Sequence, residues 1–190
     1  MCGRYYIAEE DSAAKLQEVL EQLNRRGAAV KTGEIYPTDT VPVLANNKSL
    51  VITPFAMKWG YTLPDGKQII NARSETAADK PLFRDGMQQR RCLIPATNYF
   101  EWEKRGRERI KYAIRECDSP MLYMAGVYRV ENGKPVFSIL TREPAENIAF
   151  IHNRMPVILP AEAENDWLNI KYTADDILNS ASSRVDFQKI

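Results

Sequence analysis

The chain has 190 residues, 44% of them hydrophobic and 27% charged, and a formal net charge of +1 at pH 7. These values are typical of one soluble globular domain with a sizeable core, which we expect to span residues 1–190. No apolar run reaches the ~18 residues of a membrane-spanning helix, so we expect no membrane partner.

The three cysteines and the N-terminal residues predict a cytoplasmic protein. An odd cysteine count without CxxC spacing argues against a disulfide framework and a zinc site, and favours a reducing compartment. The first residues include acidic side chains and no apolar segment, so no secretory signal is expected.

Hydrophobic patterning predicts many strands with peripheral helices. In chain order, the predicted elements are a helix at 9–25, strands at 40–45, 50–60, 67–71, 92–95, 98–104, 109–115, 120–129 and 135–141, a helix at 145–152, a strand at 155–159, and helices at 161–169 and 173–180. This order indicates an α+β fold: a single domain with a curved, mostly antiparallel β-sheet and peripheral helices.

The charges are unevenly distributed along the chain. Residues 54–115 carry 13 basic and 7 acidic side chains, a net charge of +6, whereas residues 116–190 carry 7 and 11, a net charge of −4. Such asymmetry permits a basic face for a polyanion, although a solvated surface explains it equally well. Several basic residues crowd one predicted hairpin tip: Lys104, Arg105, Arg107, Arg109 and Lys111.

Cys2 directly follows Met1, and this position gives it chemistry that no interior cysteine has. Removal of Met1 would leave an α-amine, with a reference pKa of ~7.7, and a thiol, near ~8.5, on one residue. Such a 1,2-aminothiol condenses with an aldehyde to a Schiff base and then closes a thiazolidine ring. The alternative interpretation is a small residue at a frayed terminus.

Four segments together resemble the SOS response-associated peptidase (SRAP) family, whose members form covalent links to abasic sites in single-stranded DNA. They are residues 1–4, 71–76, 98–102 and 151–156, and further matching features lie at Trp59-Gly60, Phe83, 91–95 and 138–141. The resemblance runs from Cys2 to about Ser183, and it implies that the curved sheet forms a barrel-like core. Residues 34–39 depart from the family's usual signature after the first helix, and its C-terminal segment is represented only by residues 183–186.

The resemblance implies four catalytic residues: Cys2, Asn71, Glu101 and His152. His152 is the only histidine, and an imidazole with a reference pKa of ~6.5 suits acid–base chemistry, but it could instead end the preceding helix. Glu101 would be a buried carboxylate that shuttles protons, or an exposed one on a hairpin with Glu103. Asn71, at the end of a predicted strand, would hold the intermediate, or would be an ordinary turn or helix cap.

The resemblance also implies DNA-binding residues. Arg4 and Arg73, joined by Arg154, would grip phosphates through their planar guanidinium groups, although surface ion pairs such as Arg73 with Glu75 are the alternative. Trp59 and Phe83 would offer apolar faces that stack on bases or wedge between them, and Pro37 would shape the rim of the same pocket. Ordinary core packing is the alternative for these three residues. Thr141, in a matching segment, is a further DNA-binding candidate.

The leading hypothesis is therefore a monomer that senses abasic sites in single-stranded DNA, including strands at junctions with duplex. After Met1 removal, Cys2 would form a thiazolidine crosslink that shields the lesion in the DNA damage response, with no cofactor or metal. One alternative is a cysteine peptidase in which Cys2, His152 and Glu101 cleave the Met1–Cys2 bond or other peptide bonds. The other is a non-covalent single-stranded DNA-binding module that uses the basic middle of the chain.

Overall fold

A computed structural model of the chain describes residues 2–8, 14–117 and 119–190. Within these residues the strands are β1 (Tyr5–Ile7), β2 (Gly33–Ile35), β3 (Thr40–Asn46), β4 (Ile52–Trp59), β5 (Tyr61–Thr62), β6 (Gln68–Ile69), β7 (Asn71–Arg73), β8 (Arg91–Ala96), β9 (Asn98–Arg105), β10 (Glu108–Glu116), β11 (Leu122–Glu131), β12 (Lys134–Arg142), β13 (Met155–Pro156), β14 (Ile158–Leu159) and β15 (Val185–Lys189). The helices are α1 (Ala14–Arg25), α2 (Ser74–Ala77), α3 (Pro81–Gln89), α4 (Ala161–Leu168) and α5 (Ala174–Leu178), with a 3-10 helix at Glu146–Ile148.

Five strands close into a barrel. The hydrogen-bonded order is β12-β4-β3-β8-β11, and β11 pairs again with β12, which completes the circle. These pairings are antiparallel except that of β12 with β4, which is parallel. Fully buried side chains such as Val43, Ile94 and Ile139 belong to the hydrophobic core. The predicted α+β class with a barrel-like, mostly antiparallel core is confirmed.

A second, entirely antiparallel sheet contains the first strand, in the order β15-β10-β9-β1-β2. Tyr5 of β1 lies directly opposite Tyr99 of β9. The ladder continues toward the N-terminus, because the Phe100 backbone N–H donates to the Arg4 carbonyl at 2.8 Å. Cys2 is fully buried, so the alternative of a frayed terminus at this residue is wrong.

The strand predicted at 67–71 is two strands, and Asn71 begins the second rather than ending the first. The Ile70 carbonyl accepts hydrogen bonds from the Ile139 backbone N–H and from the Trp59 indole, both at 3.0 Å. These two bonds lie where the pairing changes: β6 pairs with β5, and β7 pairs with β12 in a parallel arrangement.

The strand predicted at 155–159 is likewise divided, into β13 and β14. Val157 lies between them, donates to the Leu140 carbonyl at 2.9 Å and accepts from the Ala125 backbone N–H at 2.8 Å. The chain therefore changes its pairing partner at this residue: β13 pairs with β12, and β14 pairs with β11. A single continuous strand could not pair with both neighbours in this way.

Most helices are shorter in the structure than the sequence predicts, and several elements were not predicted at all. The helix expected at 145–152 is only the 3-10 helix, because the chain must turn to enter β13 at Met155. The helix expected at 9–25 is confirmed over α1, while residues 9–13 lie outside the described residues. The helix α3 was not predicted because it contains Pro81 and Gly86, two residues that usually interrupt helices. Pro81 lies in the first helical turn, where proline is favoured. Gly86 is required by close packing, because a Cβ on it would lie 2.9 Å from Val127 Cβ. The other elements missed include β1, β2, β15 and α2.

Among the described residues, no helix combines the length and apolar character needed to cross a membrane.

Candidate active site

Asn71 holds the backbone of Cys2. Its Nδ2 donates a hydrogen bond to the Cys2 carbonyl oxygen at 2.8 Å, across 69 residues of sequence. Asn71 can make this contact because β7 lies along β12, with Asn71 paired to Ile139. The Cys2 thiol makes a long contact, 3.9 Å, to the Arg4 carbonyl oxygen. Two residues predicted to act together are therefore in direct contact.

Glu101 lies on the buried face of β9, next to the N-terminal residues. Glu101 is 4% exposed and Glu103 is 9% exposed, so the alternative of two solvent-facing glutamates is wrong. The pairing of Tyr5 with Tyr99, continued by one step of two residues on each strand, sets Glu101 opposite Gly3. Burial first, and then the charge of Glu101, raise the pKa of the Cys2 thiol.

His152 lies on the loop between the 3-10 helix and β13. Its Nδ1 accepts a hydrogen bond from the Arg154 backbone N–H at 3.0 Å, so a neutral ring carries its proton on Nε2. The His152 backbone N–H also donates to the Ile148 carbonyl, a long bond of 3.4 Å that ends the 3-10 turn. Both suggested roles are thus compatible with its position: the backbone ends the turn, and a neutral ring has Nε2–H as its donor.

The three predicted phosphate-binding arginines differ in their surroundings. Arg73 is exposed. Arg4 is partly buried and pairs with Glu34, at 3.1 Å. Arg154 binds Glu75 through two nitrogens, at 2.7 and 2.8 Å, and this ion pair lowers the pKa of Glu75. The alternative pairing of Glu75 with Arg73 is therefore corrected, because Glu75 forms its ion pair with Arg154.

Trp59 and Thr141 belong to the core. Trp59 is 0% exposed, stacks on Phe137 with ring centroids 6.4 Å apart, and lies against Tyr5 at 5.1 Å. Thr141 is 1% exposed, and its hydroxyl donates to the Ala72 carbonyl at 3.3 Å. The expectation that Trp59 offers a base-stacking face is corrected, because core packing covers both sides of its indole.

Phe83 and Pro37 lie closer to the surface. Phe83 is mostly buried and packs on Tyr61 with centroids 5.6 Å apart. Pro37 is half-buried in a turn in which the Tyr36 backbone N–H donates to the Asp39 carboxylate at 2.8 Å. Contacts of these two residues with DNA stay predictions.

The sequence profile of the family described as SOS response associated peptidase (SRAP) matches residues 1–189. The chain belongs to this family. It is 33% identical over 197 aligned residues to "Abasic site processing protein YoqW" of Bacillus subtilis, covering 95% of this chain and 85% of the relative. It is 28% identical to "Abasic site processing protein YedK" of Escherichia coli, covering 96% and 86% of the two chains.

Solved structures share the fold. A protein from Bacteroides thetaiotaomicron has a TM-score of 0.77 and 24% identity, and the match covers 100% of this chain and 92% of that chain. A phage-related protein from Bordetella bronchiseptica also has a TM-score of 0.77, with 23% identity. The barrel and the second sheet therefore belong to a fold that these solved structures share.

Beside the buried site, this SRAP domain presents a surface that the sequence analysis missed, which we call the cation–aromatic face. The Arg4 guanidinium lies 3.9 Å from the Tyr36 ring centroid and 5.4 Å from that of Trp102. Lys111 Nζ lies 3.9 Å from the Phe100 ring centroid and 3.0 Å from Glu34. The face comprises Arg4, Glu34, Tyr36, Phe100, Trp102 and Lys111.

The face arises from strand register. Trp102 pairs with Lys111 across β9 and β10, whereas Glu101 pairs with Tyr112, and successive side chains point to opposite sides of a sheet. One side therefore carries the buried carboxylates of Glu101 and Glu103, and the other side carries Trp102 and Lys111. Lys111, expected at the hairpin tip, instead belongs to this face. The alternation of Phe100, Glu101 and Trp102 was the signal that could have revealed it.

Among the described residues, no three histidine, cysteine, aspartate or glutamate side chains group closely enough to hold a metal ion.

Proposed function

We propose that this protein senses abasic sites in single-stranded DNA and forms a covalent thiazolidine crosslink through Cys2 after Met1 is removed. The observation that carries this proposal is the hydrogen bond from Asn71 to the Cys2 carbonyl, which fixes the N-terminal residue beside the buried Glu101. The names of relatives, which are abasic site processing proteins, support an abasic site as the lesion.

The proposed reaction joins the aminothiol to the opened sugar. Opening of the abasic deoxyribose ring exposes an aldehyde at C1′. The α-amine of Cys2 adds to this carbon and water leaves, which gives an imine. The sulfur then attacks C1′, the imine π electrons move to nitrogen, and the thiol proton is transferred to that nitrogen. The products are one thiazolidine and one water molecule.

The environment of the sulfur sets the order of these steps. Burial raises the pKa of the Cys2 thiol, so the sulfur is protonated and a poor nucleophile at neutral pH. A free α-amine has a reference pKa of ~7.7 and is partly deprotonated there. The amine therefore reacts first, and the sulfur closes the ring afterwards.

The neighbouring side chains take distinct roles in this scheme. His152 donates from Nε2–H to an oxygen of the sugar as the ring opens, because its Nδ1 already accepts from Arg154. Glu101 accepts and returns protons beside the amine. Asn71 holds the Cys2 backbone while the nitrogen changes from amine to imine.

The same proposal includes the DNA contacts. Arg73 is exposed and available to a phosphate, whereas Arg4 and Arg154 must exchange carboxylate partners for phosphates. An abasic single strand requires no extrusion from a paired stack, which makes it the favoured substrate, also beside a duplex junction. We place the protein in the cytoplasm as a monomer whose link shields the lesion during the response to DNA damage.

The peptidase alternative has less support. A cysteine peptidase attacks through a thiolate, and both burial and the charge of Glu101 hold the pKa of the Cys2 thiol above its usual value. Cleavage of the chain's own Met1–Cys2 bond is the form of this activity that the position of Cys2 permits.

A denaturing gel tests the proposal. Purified protein, with Met1 removal verified by intact mass, is mixed with a single strand that carries one abasic site, and with the same strand intact. We expect a heat-stable shifted band only with the abasic strand. No shift, or binding that survives only without denaturant and is equal for both strands, would favour the non-covalent module instead.

Replacement of Glu34 by Gln should tighten binding to single-stranded DNA. Glu34 bridges Arg4 and Lys111, and these two cations lower its pKa, with the Lys111 hydrogen bond as the largest cause. Without this anion, both cations can bind phosphates, so we expect several-fold higher affinity and a salt dependence of log K steeper by up to ~1.4. Fluorescence anisotropy over a salt series measures both. Glu162→Gln, which removes an exposed charge from α4, is the control and should change neither.

A further inference from the structure

Two tyrosines face each other beside Cys2 with buried hydroxyl groups. Tyr5 and Tyr99 are paired across β1 and β9, and both side chains are 0% exposed. Neither hydroxyl oxygen has a hydrogen-bond partner among the described residues. Tyr112, on the same sheet, shows the usual arrangement, because its hydroxyl donates to Glu103 at 3.0 Å.

Such groups are unfavourable for folding. A buried hydroxyl without a partner destabilises the folded state because it has lost its hydrogen bonds to water, and phenylalanine would fill nearly the same space without this loss. Two of them on facing residues therefore suggest a use that the folded state alone does not explain.

Their surroundings indicate that use. The Tyr5 ring lies 5.1 Å from that of Trp59, whose indole binds the carbonyl of Ile70, the residue before the Asn71 that holds the Cys2 backbone. Burial is the main cause that raises the pKa of both phenols, and the Cys2 thiol is the next. The charge of Glu101 also raises the pKa of the Tyr99 phenol. Both phenols therefore keep their protons across the physiological pH range, and beside Cys2 they can act as hydrogen-bond donors but not as bases.

We propose that Tyr5 and Tyr99 are positioning residues whose hydroxyl groups donate hydrogen bonds to the Cys2 sulfur while it loses its proton and closes the thiazolidine ring. The inference rests on the proposed function. The sulfur–C1′ bond forms, the imine π electrons move to nitrogen, and the thiol proton is transferred to nitrogen, while both phenols retain their own protons. Hydrogen bonds to the charged form of a group favour that form, so the two donors offset part of the effect of burial on the thiol.

The test separates ring closure from imine formation and needs no DNA. Protein without Met1 is treated with propanal in the presence of cyanoborohydride, which reduces the imine to an amine before the ring can close. The thiazolidine and the reduced amine on Cys2 differ by two hydrogens and are resolved by mass spectrometry of the N-terminal peptide. Tyr5→Phe and Tyr99→Phe should each lower the ratio of thiazolidine to reduced amine about tenfold, the equivalent of one hydrogen bond to a charged group.

A matched control is available in Tyr61, which is equally buried but packs on Phe83 and lies 4.5 Å from the Arg129 guanidinium. Tyr61→Phe should leave the product ratio unchanged. Thermal unfolding supplies the second measurement: Tyr5→Phe and Tyr99→Phe should unfold at the same or a higher temperature than the parent, since each removes a hydroxyl without a partner. A purely structural role would not combine unchanged stability with altered product ratio.

The outcomes distinguish the two proposals. An unchanged product ratio in both variants, or an equal decrease in Tyr61→Phe, would overturn the role of the tyrosines while the crosslink of the parent protein to abasic DNA still stands. Lower stability in both variants would also overturn it, because the hydroxyls would then have structural partners. Absence of any Cys2 product in the parent protein, together with no crosslink on the gel, would remove the proposed function itself.

Discussion

Replacement of Cys2 by Ala should abolish the heat-stable adduct with abasic single-stranded DNA, down to the level seen with intact DNA. The variant lacks the sulfur that closes the ring, so the reaction stops at an imine, which water reverses. The change removes a single heavy atom from a buried position and leaves the Asn71 hydrogen bond to the backbone carbonyl in place. We therefore expect the variant to fold and to bind DNA.

Borohydride trapping shows where the reaction stops. The Cys2→Ala protein retains the α-amine after Met1 removal, so borohydride should convert its imine into a permanent link to the abasic strand. Cys2→Ser is the matched control: its hydroxyl replaces the thiol with an atom of similar size, and it should also give an adduct only after reduction. A heat-stable adduct from Cys2→Ala without borohydride would show that another nucleophile forms the link.

Local patterns predicted the strands but not the way in which they close. The β3–β4 and β11–β12 pairs follow from alternating apolar runs around turn residues, and both are present. Barrel closure depends on the parallel pairing of β12 with β4, between residues far apart in sequence. The Trp59 indole bond to Ile70, which helps to divide the 67–71 strand, is likewise a tertiary contact that no periodicity reports.

The candidate site was likewise predicted in part and missed in part. The resemblance brought Cys2, Asn71, Glu101 and His152 together from four distant segments, and the contact of Asn71 with Cys2 is present. The pairing of Arg4 with Glu34 and the facing hydroxyls of Tyr5 and Tyr99 were not predicted, because β1 and β2 are short and were missed. Short strands carry too few residues for alternation to be recognised.

Replacement of Trp59 by Ala should lower the free energy of unfolding by about 3–5 kcal/mol, and the melting temperature by about 10 °C or more. The indole is enclosed by Tyr5 and Phe137, so its loss leaves a cavity, and its hydrogen bond to the Ile70 carbonyl disappears. Thermal and denaturant unfolding measure both quantities. Because Ile70 precedes Asn71, we also expect slower crosslinking at temperatures where the variant is still folded.

Trp102→Ala is the matched comparison, since Trp102 is half-buried on the cation–aromatic face and lies near Arg4. We expect a small loss of stability but about tenfold weaker binding to single-stranded DNA, within the range for one stacked base. Binding of the folded Trp59→Ala protein, measured at low temperature, should stay within about twofold of the parent, because no base reaches a fully enclosed ring. If Trp59→Ala instead weakened binding without loss of stability, the indole would have to leave the core when DNA binds, and the base-stacking role predicted from the sequence would be restored.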